Sequence, residues 1–154
     1  MGRLAGKVAI ITGGAKGQGA AEAKAFVKEG AKVVFGDILD ENGYAVEAEI
    51  NKQSKSAKYL HLDVTSESDW ITAVETTVST YGKLDVLVNN AAIVIPRVPI
   101  EERTVDEWDR IQAVNSKGVF LGAKHSIPAM RRGGGGSIIN ICSVAGFGQA
   151  TTQE

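Results

Sequence analysis

The chain has 154 residues, a formal net charge of −1 and 44% apolar residues, the profile of a single soluble, core-forming domain. So even a balance carries no electrostatic footprint of a nucleic-acid binder, and the apolar runs are far too short to span a bilayer. One cysteine, Cys142, excludes an intramolecular disulfide and suits a reducing compartment, so a cytoplasmic protein is expected.

Met1 to Lys7 holds no apolar targeting core. The first strand, Val8–Thr12, is apolar almost throughout, as a strand buried on both faces is. Gly13, Gly17 and Gly19 follow it, then an Ala-rich helix with Ala20, Ala23 and Val27 on one face, small enough to dock closely on a sheet. A second strand, Lys32–Asp37, comes next. Strand, glycine turn and helix N-terminus together make a diphosphate site, because free N–H groups and the positive end of the helix dipole both face the anion. One glycine permits the sharp turn, one lets the backbone approach the phosphates, and one lets helix and strand pack closely. The spacing is Gly-x-x-x-Gly-x-Gly rather than the commoner Gly-x-Gly-x-x-Gly. Asp37 ends the second strand, where a carboxylate can accept hydrogen bonds from an adenine ribose and would repel a 2′-phosphate.

The second helix runs from about Glu41 to Gln53 and carries Val46 and Ile50. After a third strand, Lys58–Asp63, a third helix aligns Trp70, Val74, Val78 and Tyr81 behind a cap at Thr65 or Ser66. The fourth strand is Leu84–Asn89. The fourth helix opens on the capping-box pattern Thr104-x-x-Glu107, and its apolar stripe runs Trp108, Ile111, Val119. Gly133 to Gly136 form a flexible connection to the fifth strand, Ser137–Cys142. Repeated β-α-β units with V/I/L-rich strands imply an α/β fold, a doubly wound parallel sheet of Rossmann type in the order 3-2-1-4-5. That is five of the usual six strands, so residues 1–154 read as one dinucleotide-binding domain, incomplete at its C-terminus.

Ligands of open α/β sheets lie beyond the carboxyl ends of the strands, near the reversal of strand order. Five sets of residues converge there: the glycine turn with Lys16 and Gln18, Asp37-Ile38, Asp63-Val64, Asn89-Asn90-Ala91-Ala92, and Ser143. No metal ligand set is expected. Asn115 lies four after Ile111 and four before Val119, inside the apolar stripe, where an amide must find partners. It is either a core Asn satisfied by backbone or water, or a group holding a water or backbone atom near the active site. Ser143 is open between a turn-forming and a catalytic role, since no base is adjacent in sequence. Asp63 either caps the following turn or touches adenine. His61 alternates out of its strand, and His125 sits on a helix surface. Cys142 reads as a small buried residue within the last strand. The Asp85–Val86 step and Arg131-Arg132 read as solvated surface.

Together these residues resemble the short-chain dehydrogenase/reductase family in its NAD(P)-dependent branch. The matching motifs are Thr12-Gly13-Gly14-Ala15-Lys16-Gly17-Gln18-Gly19, Asp63-Val64, Asn89-Asn90-Ala91-Ala92, the helical Asn115-Ser116-Lys117-Gly118-Val119-Phe120, and Ser137 to Ser143. The resemblance covers nearly the whole chain. It implies reversible hydride transfer between NAD and a small-molecule secondary alcohol or ketone, with Ser143 hydrogen-bonding the substrate oxygen and Asn115 anchoring a water relay. It also implies a homo-oligomer for the full-length protein. The family's Tyr-x-x-x-Lys pair would fall just past Glu154; no Tyr follows Tyr81 and no Lys follows Lys124. A truncated chain, inactive and self-associating when alone, is therefore expected. Its rival is a non-catalytic dinucleotide-binding or interaction fragment. Ala92 stands where the family often has Gly, and Gln18 where an apolar residue is frequent. Lys16 can accompany a 2′-phosphate, but Asp37 favours NAD over NADP, because an anion beside a phosphate in low dielectric costs more than one exposed Lys gains. The substrate stays open among sugars, steroids, cyclic alcohols and acyl chains.

Overall fold

Five strands, β1 (Val8–Thr12), β2 (Lys32–Asp37), β3 (Ala57–His61), β4 (Val86–Asn89) and β5 (Ser137–Asn140), form one parallel sheet in the order β3-β2-β1-β4-β5. The expected strand order is the observed one. The computed structural model describes residues 2–52, 54–96 and 98–143. Helices α1 (Gly17–Lys28), α2 (Asp40–Ile50), α3 (Glu67–Tyr81) and α5 (Gly118–Arg132) pack on the sheet, and α4 (Val105–Gln112) leads into α5.

The two cores follow from the period of two along a strand. Ile10, Val34 and Leu87 stand in register and pack with Trp70, Leu121 and Met130 of α3 and α5. Their neighbours Ile11, Phe35 and Val88, equally in register, pack with Ala23 of α1 and Ile50 of α2. Trp70 is fully buried and its indole N–H donates to the Val64 carbonyl at 3.0 Å, which fixes the chain leaving β3. As expected, α3 is capped by Ser66, whose hydroxyl accepts from the Asp69 N–H, and it ends at Gly82 with φ +85°.

Several expectations need correction. The third strand begins one residue earlier than read and ends at His61; the second helix ends at Ile50, short of Gln53, which lies outside the described residues. β4 begins at Val86 because Asp85 has another task. Its carboxylate accepts from the Val8 N–H at 2.8 Å and pairs with Lys83, so the side chain is only 12% exposed rather than solvated. β5 stops at Asn140 because β4 stops at Asn89, whose carbonyl takes the Ile141 N–H as the last rung. Cys142 is therefore exposed beyond the strand, not buried within it.

The single long fourth helix is interrupted. The capping box is present, with Thr104 accepting from the Glu107 N–H and Glu107 from the Thr104 N–H. Between α4 and α5, however, Ala113–Lys117 form a π-helical turn. Across such a turn the i, i+4 spacing no longer marks one face. Trp108 is consequently 58% exposed and α4 buries no residue, whereas Leu121, Ala129 and Met130 of α5 enter the core. Phe120 and Ile127 of α5 and Ile139 of β5 remain exposed. Among the described residues, no helix is long and apolar enough to cross a membrane.

Candidate functional site

The turn after β1 is built around a buried hydroxyl. Thr12 Oγ1 accepts from the N–H groups of Asn90 (3.0 Å) and Ala91 (2.9 Å). In return the Asn90 side-chain amide donates to the Thr12 carbonyl at 2.9 Å. The ends of β1 and β4 are thus stitched together. Gly13 and Gly17 have φ of +68° and +56°, the left-handed region that L side chains avoid. Gly17 has open space around it, so its requirement is conformational and its surroundings leave room for a ligand. Gly19 is the reverse case: a Cβ there would lie 2.2 Å from the Gly13 carbonyl oxygen. Lys16 precedes α1 with extended backbone, no side chain caps the helix, and no acidic residue stands in its first turn. Its leading N–H groups lack intrahelical partners, which is the donor set a diphosphate requires.

Asp37 closes the opposite wall. One carboxylate oxygen accepts from the Ala15 N–H at 3.1 Å, the other from the Leu39 N–H at 3.2 Å, so the glycine turn itself aims the group. Behind it, the carboxyl of Asp40 is held below its usual range by the Tyr59 hydroxyl and then by His61. Burial, followed by the Asp40 hydrogen bond, pushes the Tyr59 phenol well up, and Asp40 raises His61.

These elements enclose a cavity of about 450 Å³ at the carboxyl edge of the sheet, within the usual size of small-molecule sites. Gly13, Lys16, Gly17 and Gln18 line one side of it, and Asp37 and Ile38 another. Asp63, Val64, Asn90, Ala91 and Ala92 complete the polar and small part of the lining. Of the expected nucleotide residues only Gly19 is not in the lining; it lies against Gly13. Leu39, Leu62, Ile93 and Val114 also line the cavity and were not anticipated, since apolar residues in a core-forming chain carry no distinguishing signal. Asp63 does cap its turn, accepting from both the N–H and the hydroxyl of Thr65 at 2.8 Å, while also facing the cavity.

Asn115 is not the buried stripe residue that its spacing suggests. It is exposed, in the π turn, and its amide makes a reciprocal pair with the main chain of Ile93, accepting from N–H and donating to C=O at 2.9 Å each. Its partner is thus main chain, which both alternatives allow, and its exposure removes it from the core. Ser143 is exposed, just beyond β5 on the same edge of the sheet. The histidines are engaged by carboxylates of their own, His61 by Asp40 and His125 by Glu67, the latter shared with Lys124. Among the described residues no group of three or more His, Cys, Asp and Glu is placed to hold a metal ion.

A family model for short chain dehydrogenases matches residues 7–153. A 3-alpha-(or 20-beta)-hydroxysteroid dehydrogenase of Mycobacterium tuberculosis is 53% identical over 146 residues, covering 95% of this chain and 55% of the relative. A 2,5-dichloro-2,5-cyclohexadiene-1,4-diol dehydrogenase of Sphingobium indicum is 47% identical, covering 94% and 58%. A cyclopentanol dehydrogenase of Comamonas testosteroni is 42% identical, covering 96% and 58%. The chain spans little more than half the length of these curated relatives. A match of this extent, on a sheet of this order, shows that the chain belongs to the short-chain dehydrogenase family.

Proposed function

We propose that residues 1–154 are the dinucleotide-binding domain of an NAD-dependent dehydrogenase acting on a secondary alcohol or ketone. The observation that carries this reading is the Asp37 carboxylate, held by Ala15 and Leu39 at the wall of a cavity whose opposite wall is an uncapped helix N-terminus. When bound, the nicotinamide would supply the hydride chemistry. The chain's own residues bind and orient. The Gly13–Gly19 turn would receive the diphosphate, Asp37 with Ile38 the adenine ribose, and Asp63 with Val64 the adenine. Asn90, Ala91 and Ala92 would line the remaining length. Ser143 would donate a hydrogen bond to the substrate oxygen. Asn115, through Ile93, would hold the loop that borders the reacting end.

Asp37 sets the cofactor preference. A 2′-phosphate beside this carboxylate would be repelled more strongly than the exposed Lys16 could attract it. The named relatives act on hydroxyls of a steroid, a cyclohexadiene diol and cyclopentanol. Alicyclic secondary alcohols are therefore the class to assay first. General acid–base assistance is worth roughly 10²–10⁴ in rate; no Tyr or Lys follows Ser143 in this sequence, so the 154-residue chain alone would bind without appreciable turnover. The apolar side chains exposed on α5 and β5 favour a homo-oligomer for the whole protein.

Titration of the whole protein with NAD and NADP, wild type against Asp37→Ala, tests the reading. NAD should bind more tightly to wild type, and the substitution should weaken NAD and relax discrimination. Equal affinity of the wild type for both cofactors refutes the assignment of Asp37. Tight NAD binding with no turnover of any alicyclic alcohol would favour a non-catalytic binding module.

A further inference from the structure

The turn that carries Asp37 is held from beneath by a residue that does not line the cavity. Tyr59 is buried on β3, with its ring against Phe35 (centroids 5.5 Å apart) and edge-on to Tyr44 (4.9 Å). The helix α2 makes room for it at Gly43, where a Cβ would lie 2.1 Å from the ring. The phenol oxygen is 2.7 Å from the Asp37 carbonyl and 2.8 Å from Asp40 Oδ1. The single phenol proton, shared between these two acceptors, thus ties the last residue of β2 to the first residue of α2. Asp40 is secured in turn by His61 Nδ1 at 2.9 Å. Asp37 O also accepts the Leu62 N–H at 3.1 Å, so the phenol is one of two anchors on that carbonyl.

The two hydrogen bonds on the Asp37 carboxylate come from Ala15 and Leu39 N–H groups. Leu39 belongs to the same short turn, so that bond is only as well placed as the turn is. We propose that Tyr59 is a positioning residue for the cofactor: its hydroxyl clamps the Asp37–Asp40 turn so that the Asp37 carboxylate meets the ribose, and selection of NAD over NADP depends on it. The proposal rests on the assignment of Asp37 above. Packing alone would make the ring sufficient and the hydroxyl dispensable.

Tyr59→Phe separates the two, since it keeps the ring and removes only the clamp. Binding of NAD and NADP to the whole protein is measured by titration calorimetry in four backgrounds: wild type, Tyr59→Phe, Asp37→Ala and the double variant. Loss of a net hydrogen bond should weaken NAD about three- to tenfold. NADP binding should change less than about twofold, so the selectivity ratio falls. With Asp37 already replaced, Tyr59→Phe should alter NAD affinity less than about twofold. Should Tyr59→Phe not fold, Asp40→Ala removes the clamp's other anchor and should lower the same ratio. An unchanged ratio in the folded variant, or an equal loss of NAD affinity with and without Asp37, overturns the proposal. Asp37→Ala with no effect on NAD would instead overturn the ribose assignment, and this proposal with it.

Discussion

Replacing Gly19 by alanine adds one methyl group where α1 meets the end of β1. The new carbon would stand 2.2 Å from the Gly13 carbonyl oxygen and 2.6 Å from the Asn90 side-chain nitrogen, well inside the roughly 3.5–4.0 Å of ordinary contact. Neither neighbour can retreat freely. Gly13 sits in a left-handed turn, and the Asn90 amide is occupied with the Thr12 carbonyl. Relief requires shifting α1 outward or giving up that hydrogen bond. Overpacking costs about 1–3 kcal/mol, and a lost hydrogen bond about 1 kcal/mol more. Better helix propensity returns about 0.8–1 kcal/mol, leaving a net loss of about 2 kcal/mol. Urea unfolding should show a midpoint lower by about 1 M, given a slope of about 2 kcal/mol/M. Gly17→Ala is the control. Nothing lies within 4 Å of that position and only its φ of +56° is at stake, so about 1–2 kcal/mol is expected with no displacement of the turn. NAD binding should suffer more from Gly19→Ala, because the shift moves the diphosphate donors. A Gly19→Ala protein with the wild-type midpoint and wild-type NAD affinity would refute the close-packing argument.

Trp70→Phe should cost about 2–4 kcal/mol in the same unfolding assay. It leaves the Val64 carbonyl without its 3.0 Å partner and opens space beside Gly122; a loss under about 1 kcal/mol would contradict this account. The Asp40–His61 pair predicts a pH signature. His61 is raised above its ordinary 6.5 by the hydrogen bond to Asp40, so its contribution is complete below that pH and fades as pH rises through the raised value. Asp40, lowered from 3.8 by Tyr59 and then His61, contributes above that value and loses its part as pH falls. His61 is 53% exposed, so the effect is small. Between about pH 5.5 and about pH 8.5, wild type should lose stability relative to His61→Gln; parallel unfolding midpoints across that range would rule the pair out as a contributor.

The glycine turn, Asp37 and the order of the strands were legible in the sequence because their signals are local: an apolar strand, three glycines, a small-faced helix, an acid at the next strand end. What escaped depended on partners distant in sequence. Asp85 looks like a surface acid until β1 is laid beside it and its carboxylate is seen to take the Val8 N–H. Cys142 looks like a strand residue until β4 is found to end at Asn89. Trp108 and Asn115 were placed by a period of 3.6 that assumes an unbroken helix, and no residue type in Ala113–Lys117 announces a wider turn. The Tyr59 clamp is likewise invisible, because it joins β3 to the far end of β2 and the start of α2.

The π turn has a mechanical consequence. An α-helix advances about 100° per residue, and a π turn absorbs one residue beyond what an α-helix would hold. Ala113–Lys117 therefore take up that residue between two helices that share one chain. Upstream, α4 has no buried side chain and tolerates rotation; downstream, Leu121, Ala129 and Met130 are committed to the sheet. Removing one residue from the segment would restore a regular helix and leave the two halves in phase, because the wide turn already absorbs that residue locally. With α5 anchored, α4 would keep its face, but the wide turn would close and Asn115 would leave Ile93. Core and site are timed by the same five residues, so this helix should tolerate substitutions along its outer face far better than any change in its length.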